Sequence, residues 1–284
     1  MSNEASQTGC LFVVATPIGN LGDISARALE TLQDADLIAA EDTRHTRGLL
    51  SKFGINRPML AVHEHNEDAL VSQLIVRLQS GERIALVSDA GTPLISDPGF
   101  PLVRACREAG LQVVCVPGPS ALVAALCVAG LPTDRFRFEG FLPRKASARR
   151  AVLLALSHEP ATLVFYESSH RVLDALRDMR DSLGGKRYVV LARELTKLHE
   201  TVLAGSLERL VAQLEADENQ RKGEFVLMLA GVEEREDDGM AELDRVLRVM
   251  LEELPLKQAA GLAAKLAGVK KNLAYQRALA LRGE

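Results

Sequence analysis

Short apolar runs rich in β-branched residues alternate with amphipathic stretches between residues 11 and 117. Residues 11–16, 84–88 and 113–117 have the length of buried strands, and residues 69–79 have the periodicity of a helix. Parallel strands need a long crossover connection, whereas antiparallel strands can follow each other directly. The alternation therefore predicts an α/β lobe over residues 11–122, with a mostly parallel sheet covered by helices.

The pattern changes beyond a helix rich in alanine and leucine that ends near Gly130. Five apolar runs follow up to residue 230, and only two long helical stretches separate them. Short connections between adjacent strands favour a mixed or antiparallel sheet. We therefore predict a second αβ lobe over residues 123–232, with the boundary near residues 120–133.

Both ends of the chain differ from the two lobes. Residues 1–10 are polar and are expected to be flexible, and residues 233–242 form an acidic run that is typical of a linker. Residues 243–284 are predicted to be a small, basic helical module with a turn at Gly268. Two helices joined in this way resemble a helix-turn-helix and suggest nucleic-acid binding, and the alternative is a solvated basic face.

The composition excludes several classes of protein. The 284 residues carry a net charge of −4, and 47% of them are apolar, which is enough for a sizeable core. The four cysteines lack CxxC spacing and three lie in apolar surroundings, so we expect reduced core residues, with no metal site and no disulfide. The first ten residues lack an apolar signal core, and no apolar run approaches the roughly 20 residues that span a bilayer. We expect a cytoplasmic protein without a membrane partner.

Three loops rich in glycine and proline follow predicted strands, at residues 15–20, 86–99 and 116–121. The carboxyl ends of parallel strands meet at one edge of a sheet, where ligands of α/β proteins bind. Proline beside glycine removes N–H donors and leaves carbonyl acceptors, which suits a neutral or cationic ligand better than a polyanion. The chain contains no P-loop and no GxGxxG motif after a strand. We therefore expect a small-molecule site that is not built around phosphate.

Seven ordered motifs give the chain a family resemblance. They are residues 16–23 (TPIGNLGD), 40–44 (AEDTR), 63–67 (HEHNE), 88–99 (SDAGTPLISDPG), 117–121 (PGPSA), 165–171 (FYESSHR) and 193–197 (RELTK). Together they resemble the tetrapyrrole-methylase superfamily and, within it, the ribosomal small-subunit RNA cytidine 2′-O-methyltransferases. The match runs from about Leu11 to about Gly231, and Ser169 stands where the family usually has proline.

The resemblance implies a fold and a set of ligands. It implies two αβ lobes with S-adenosylmethionine bound in the cleft between them, commonly in a homodimer, and ribosomal small-subunit RNA as the substrate. By motif position, the cofactor site would include Pro17, Ala90, Gly91, Thr92, Ile95, Ser120, Ala121, Glu167 and Gly205. A cationic sulfonium can be surrounded by carbonyl oxygens, in agreement with the loop chemistry. For any one of the glycines, the alternative is a turn that requires its conformation.

Methyl transfer to a ribose hydroxyl needs alignment of the reacting atoms and a group that assists loss of the proton. Polar residues at the ends of strands could supply that group, and we predict Asp89, Glu64 and Lys197 as the side chains nearest the reacting oxygen. The alternatives are a polar loop around Glu64 and a surface salt bridge at Lys197.

Basic side chains are predicted to contact RNA phosphates, because guanidinium forks match phosphate geometry. The predicted contacts are Arg44, Arg144, Lys145, Arg149, Arg150, Arg171, Arg193, Lys270 and Lys271. Residues 144–150 are the densest basic run, for which the alternative is a solvated helix start. Aromatic residues make up only 4% of the chain and tryptophan is absent, which disfavours an extended stacking platform. Recognition of structured RNA by shape and backbone fits better.

Two other functions are compatible with the residues. A corrinoid or uroporphyrinogen methylase would use the same two lobes on a macrocycle, although the basic C-terminal module argues against it. A non-catalytic RNA-binding assembly factor would keep the cleft without the reaction. Absence of cofactor binding would favour the assembly factor over both the RNA methyltransferase and the macrocycle methylase.

Overall fold

The computed structural model describes residues 9–63, 66–232 and 236–283. Its internal contacts divide the chain into two compact units, Met1–Ala230 and Gly231–Glu284. The first unit holds both predicted αβ lobes, and the second holds the predicted helical module. Within the described ranges, none of the helices combines the length and the apolar character of a membrane-spanning segment.

The first lobe is built on a five-stranded sheet in which every pairing is parallel. Its strands are β1 (Cys10–Val14), β2 (Leu37–Ala40), β3 (Met59–Ala61), β4 (Arg83–Val87) and β5 (Gln112–Val116), and its helices are α1 (Ala26–Asp34), α2 (Thr43–Lys52), α3 (Glu67–Gln79) and α4 (Phe100–Glu108). The strand order is β3-β2-β4-β1-β5. The order places β1 between β4 and β5, so the three strands that precede the glycine-rich loops are neighbours.

Helices cover both faces of this sheet, as the alternation predicts. One apolar cluster joins Leu11 to Leu74 of α3 and Leu102 of α4, and another joins Val14 to Leu32 of α1. Successive residues of β1 therefore serve opposite faces, which is why its run is apolar throughout.

The second lobe has a mixed five-stranded sheet, in agreement with the predicted fold class. Its strands are β6 (Phe136–Phe141), β7 (Thr162–Ser168), β8 (Tyr188–Arg193), β9 (Thr201–Ser206) and β10 (Glu224–Leu229), and its helices are α5 (Ala121–Ala129), α6 (Ala146–Ala155), α7 (Val172–Leu183) and α8 (Leu207–Ala216). Only β6 and β7 pair in parallel, and the order is β6-β7-β10-β8-β9. Helices α6, α7 and α8 cover one face. Helix α5 packs on the other face together with Ile18 of the first lobe, so an apolar contact joins the two lobes.

The C-terminal unit consists of α9 (Glu236–Glu253), α10 (Leu256–Leu266) and α11 (Lys271–Arg282) around a small apolar core. Arg277 of α11 forms a two-pronged ion pair with Asp244 of α9, with both N to O distances at 2.6 Å. The predicted linker over residues 233–242 is too long, because α9 begins at Glu236.

Candidate active site

The three glycine-rich loops meet at the carboxyl edge of the first sheet. Thr16 and Gly91 exchange two backbone hydrogen bonds, at 2.9 and 3.1 Å. The Thr92 hydroxyl donates to the carbonyl of Pro119 at 2.9 Å. These bonds tie the loops after β1, β4 and β5 into one surface, as their neighbouring positions in the sheet require.

Gly91 permits this close approach. Its φ of +84° is a conformation that residues with a side chain rarely adopt, and a Cβ there would lie 3.2 Å from Cγ2 of Ile18. Glycine is therefore favoured at position 91 both by the backbone conformation and by the packing against Ile18.

A cavity of about 450 Å³ lies between these loops and the second sheet. Seven of the nine predicted cofactor residues line it, namely Ala90, Gly91, Thr92, Ile95, Ser120, Ala121 and Glu167. Pro17 and Gly205 do not line it. Pro17 stands between Thr16 and the lining residue Ile18, and Gly205 lies on β9, where a Cβ would be 3.1 Å from the side chain of Arg209.

Three carboxylates cluster where β2 and β4 end. The backbone N–H of Asp89 donates to Glu41 at 3.3 Å, and Asp89 in turn accepts from the N–H of Asp42 at 3.1 Å. Burial raises the pKa of Asp97 to about 6; a hydrogen bond from Ser88 opposes this rise, whereas the charges of Glu41 and Asp89 add to it. Burial is also the main reason why the pKa of Glu41 is raised. Of this cluster, only Asp89 was predicted as a catalytic residue, although Glu41 and Asp97 lie within two of the quoted motifs.

The second lobe supplies an aromatic wall to the cavity. The Tyr166 hydroxyl accepts a hydrogen bond from the N–H of Leu122 at 3.1 Å, and burial raises the pKa of this phenol. The Tyr166 ring makes edge contacts with Phe138 and Phe141, with centroids 4.8 and 5.7 Å apart. Tyr166 and Phe141 line the cavity, and the sequence analysis did not single them out.

The charge of the lining has one sign. The acidic residues that line the cavity are Glu41, Asp89, Asp97, Glu167 and Glu224. Among the described residues of the lining there is no lysine, arginine or histidine. A cationic or neutral ligand is therefore favoured over a phosphate, as the loop composition predicts.

The predicted catalytic residues have three different placements. Asp89 lines the cavity, whereas Glu64 lies outside the described residues. Lys197 does not line the cavity, because its ammonium group is bound to Glu194 at 3.0 Å and to Glu224 at 2.8 Å. Burial lowers the pKa of Lys197, but the two carboxylates outweigh it and the net shift is upward. Lys197 is thus held as a charged group at the side of the cavity.

Glu167 is turned into the interior of the second lobe. One carboxylate oxygen accepts from the N–H of Ser168 at 2.9 Å, and the other has no hydrogen-bond partner in the described part of the chain. Burial raises the pKa of this carboxyl group, and the nearby charge of Arg171 lowers it in part. The guanidinium of Arg171 also donates to the carbonyl of Leu142, so this predicted RNA contact is occupied within the protein.

The basic run at residues 144–150 divides into buried and exposed groups. Arg149 is only 5% exposed, and its Nε donates to Asp178 at 2.7 Å while another nitrogen donates to the carbonyl of Arg144. The prediction that Arg149 contacts RNA is therefore wrong, since its charge is used inside the lobe. Arg150 also binds Asp178, at 2.6 Å, but its side chain is half exposed. Arg144 and Lys145 are exposed.

The other predicted RNA contacts are distributed over both units. Arg44 is exposed and paired with Asp42, and this pairing lowers the pKa of Asp42 to about 2. Arg193 donates to backbone carbonyls of Lys222 and His199. Lys270 and Lys271 are exposed at the start of α11 in the C-terminal unit.

No group of three or more His, Cys, Asp or Glu residues with a metal-binding arrangement occurs within the described ranges. The acidic lining of the cavity therefore does not form such a group.

Comparisons with known proteins place the chain in a family. The model of the tetrapyrrole (corrin/porphyrin) methylases matches residues 10–211, and that of the RsmI C-terminal HTH domain matches residues 237–282. The chain is 57% identical to "Ribosomal RNA small subunit methyltransferase I" of Escherichia coli O157:H7, over 97% of this chain and 96% of that protein. It is 56% identical to the protein of the same name from Xylella fastidiosa, over 95% of this chain and 99% of the relative.

A solved structure has the same fold at lower similarity. It is the uroporphyrin-III C-methyltransferase of Thermus thermophilus in complex with S-adenosyl homocysteine, 18% identical, with a TM-score of 0.52 over 78% of this chain and 97% of that one. The matches over nearly the full length, the two family models and the two-lobed fold agree. The chain belongs to the tetrapyrrole (corrin/porphyrin) methylase family and, within it, to the group of ribosomal RNA small subunit methyltransferase I proteins.

Proposed function

We propose that this protein transfers a methyl group from S-adenosylmethionine to the ribose 2′-hydroxyl of a cytidine in small-subunit ribosomal RNA. The observation that carries the proposal is the cavity at the meeting point of the three loops, whose charged lining residues are all acidic. A sulfonium and an ammonium group are the cationic parts of this cofactor. Such a lining favours both of them electrostatically.

The loops fit the cofactor in their backbone chemistry as well. Ala90, Gly91 and Thr92 follow β4, and the small residues leave peptide groups accessible to a ligand. Ser120 and Ala121 lie at the start of α5 and line the same cavity. When bound, S-adenosylmethionine supplies a methyl group that is already activated by its positive sulfur. The solved relative in complex with S-adenosyl homocysteine has the same fold and supports this assignment.

The protein must then align the ribose oxygen and accept its proton. The reaction is an in-line displacement, in which a bond forms between the 2′-oxygen and the methyl carbon while the bond between that carbon and sulfur breaks. Asp97 is a suitable proton acceptor, because its raised pKa of about 6 lies close to neutral pH and its carboxyl group lines the cavity. Asp89 adjoins it and remains a second candidate for this role. Lys197, which is held by two carboxylates, is assigned a supporting role at the wall.

The choice of ribosomal RNA as substrate rests on the relatives and on the C-terminal unit. Both curated relatives are named for methylation of small-subunit ribosomal RNA. Exposed basic residues of the C-terminal unit, including Lys270 and Lys271, supply charge that attracts a phosphate backbone. The cytidine 2′-hydroxyl is proposed from the family resemblance. A homodimer is proposed on the same ground, and light scattering tests it by a mass of twice 30.8 kDa.

The direct test uses purified protein, labelled S-adenosylmethionine and small ribosomal subunits from cells that lack this enzyme. We expect label in RNA and, after nuclease digestion, a 2′-O-methylcytidine identified by mass spectrometry. Label on a base, or no label in RNA, would overturn the proposal. Uroporphyrinogen is assayed in parallel, since its methylation would favour the macrocycle function. Failure to bind the cofactor in calorimetry would favour the non-catalytic assembly factor.

A further inference from the structure

The charge of the cavity restricts which part of an RNA can enter it. Of the five acidic residues in the lining, Glu167 has a fully buried side chain and Glu224 is paired with Lys197, which leaves Glu41, Asp89 and Asp97 to set its charge; none of the described lining residues is basic. A phosphodiester carries one negative charge per nucleotide and would be repelled by this lining. A nucleoside without its phosphates is neutral at physiological pH. The cavity is therefore suited to receive a base and its ribose while the backbone stays outside.

A bulge in β6 turns an aromatic side chain towards the cavity. The register between β6 and β7 shifts between Phe138 and Gly140, so that Gly140 is opposite Phe165 and Phe141 is opposite Tyr166. In a regular strand Phe141 would face away from Phe138, because the two residues are three positions apart and side chains alternate along a strand. The bulge instead places both rings against Tyr166. Bulges of this kind re-aim side chains beside active sites.

Glycine at position 140 is needed for this arrangement. Its φ of +66° favours a residue without a side chain, and a Cβ would lie 3.3 Å from the hydroxyl oxygen of Ser96. Ser96 itself lines the cavity and belongs to the loop after β4. The bulge therefore lies directly beside the loop that carries Asp97.

Phe141 has the exposure expected of a binding platform and not of a core residue. It lines the cavity, yet 53% of its surface is accessible. Among the ring-to-ring contacts of the described residues, Phe141 makes one, an edge contact with Tyr166. Three and four residues further on, Arg144 and Lys145 are exposed. An accessible aromatic face thus lies in the acidic cavity, and basic side chains that suit phosphate follow it closely along the chain.

We propose that the target nucleotide leaves its RNA stack and enters the cavity, where its base stacks on Phe141 while Arg144 and Lys145 hold the neighbouring phosphates outside. This inference rests on the proposed function and adds a substrate-binding residue to it. Removal of a nucleotide from a stack is unfavourable, and stacking on an aromatic side chain offsets part of that cost. A single platform of this kind is compatible with the low aromatic content of the chain.

The test compares Phe141→Leu with Phe136→Leu. Phe136 is a matched control, since it lies on the same strand, is 45% exposed and does not line the cavity. We expect Phe141→Leu to lower kcat/KM for small ribosomal subunits by about 10-fold to 100-fold, the range of a lost base stack. The affinity for S-adenosyl homocysteine, measured by calorimetry, should stay unchanged. Phe141→Tyr keeps a flat ring and should restore most of the activity.

A crosslinking experiment gives a readout that a merely structural role would not produce. The photoreactive residue p-benzoylphenylalanine is placed at position 141 or at position 136, and each protein is irradiated with small subunits. We expect position 141 to crosslink to the nucleotide that becomes methylated, and position 136 to give no crosslink there.

Three results would overturn the inference while leaving the proposed function intact. They are wild-type kcat/KM for Phe141→Leu, an equal loss for both leucine variants, and a loss explained by weaker binding of S-adenosyl homocysteine. The last result would assign Phe141 to the cofactor. A wild-type protein that does not methylate RNA would instead refute the proposed function itself.

Discussion

The two lobes contribute to the cavity by different means. The first lobe contributes three loops that glycine and proline fix at one edge of a parallel sheet, together with the carboxylates of Glu41, Asp89 and Asp97. The second lobe contributes side chains, above all Phe141 and Tyr166, from a mixed sheet. A parallel sheet brings the carboxyl ends of all its strands to one edge, whereas an antiparallel pairing sends consecutive ends to opposite edges. Loops at the edge of a parallel sheet therefore leave recognisable motifs in the sequence. Side chains that a mixed sheet contributes to a cavity wall leave few.

The largest expected effect concerns the buried charges of the second lobe. Arg149→Ala leaves Asp178 with only the half-exposed Arg150, and breaking a buried pair costs about 3–5 kcal/mol of unfolding free energy. Urea denaturation measures this loss. Arg150→Ala is the control, because it removes the partially solvated partner of the same carboxylate and should cost much less. Equal losses would mean that burial does not distinguish the two arginines.

The next effect tests the backbone character of the first lobe. Gly91→Ala forces a side chain into a left-handed conformation, which costs about 1–2 kcal/mol, and brings a methyl group against Ile18. We expect about 10-fold weaker binding of S-adenosyl homocysteine in calorimetry. Gly110→Ala has a similar φ of +69° but no atom within 4 Å of the new Cβ, so it should leave that affinity unchanged. If the two variants bind equally well, the loop geometry does not control the site.

A pH experiment sharpens the comparison at the first lobe. The pKa of Asp97 is raised to about 6, so the folded protein retains a proton between about pH 4 and pH 6 that the unfolded chain has lost. The contribution of Asp97 to stability therefore falls as pH rises through this window. Asp97→Asn should raise Tm above pH 6 relative to the wild type and have little effect near pH 4, as measured by scanning calorimetry. The same variant should lose methyl transfer, and a lower Tm at pH 8 would contradict the pKa assignment.

The smallest expected effect comes from the hydroxyl that ties two loops together. Thr92→Val removes the hydrogen bond to Pro119, worth about 1 kcal/mol, and should weaken cofactor binding by a few fold. Thr201→Val removes a comparable hydroxyl to carbonyl hydrogen bond of 3.1 Å in the second lobe, at a residue that does not line the cavity. Calorimetry should detect weaker binding for the first variant only. Weaker binding for both would point to general loss of stability.

The sequence was sufficient for the fold of both lobes because the strand and helix periods are clear. It also identified most of the loops that line the cavity, since glycine and proline after a strand have a direct physical meaning. Glu41 and Asp97 lie within two of the seven motifs, but they are 56 positions apart and the sequence alone does not show that β2 and β4, which precede them, are neighbours. Proximity of this kind is a property of the tertiary structure.

Two other features left signals that could have been used. Arg149 shares a helical face with Leu153 and Leu156, both buried, and this spacing predicts a side chain that points into the lobe. Gly140 is a glycine inside an aromatic strand, which often indicates a bulge. The basic character of residues 144–150 and the low aromatic content of the chain are properties of whole segments. The burial of Arg149 and the bulge at Gly140 depend instead on single positions within those segments.

The all-acidic charge of the lining also bears on turnover. In the proposed reaction, loss of the methyl group turns a positively charged sulfur into a neutral thioether. The attraction between that atom and the carboxylates is then present before the reaction and absent after it. In the proposed reaction, the demethylated donor would therefore bind less tightly than the methylated one.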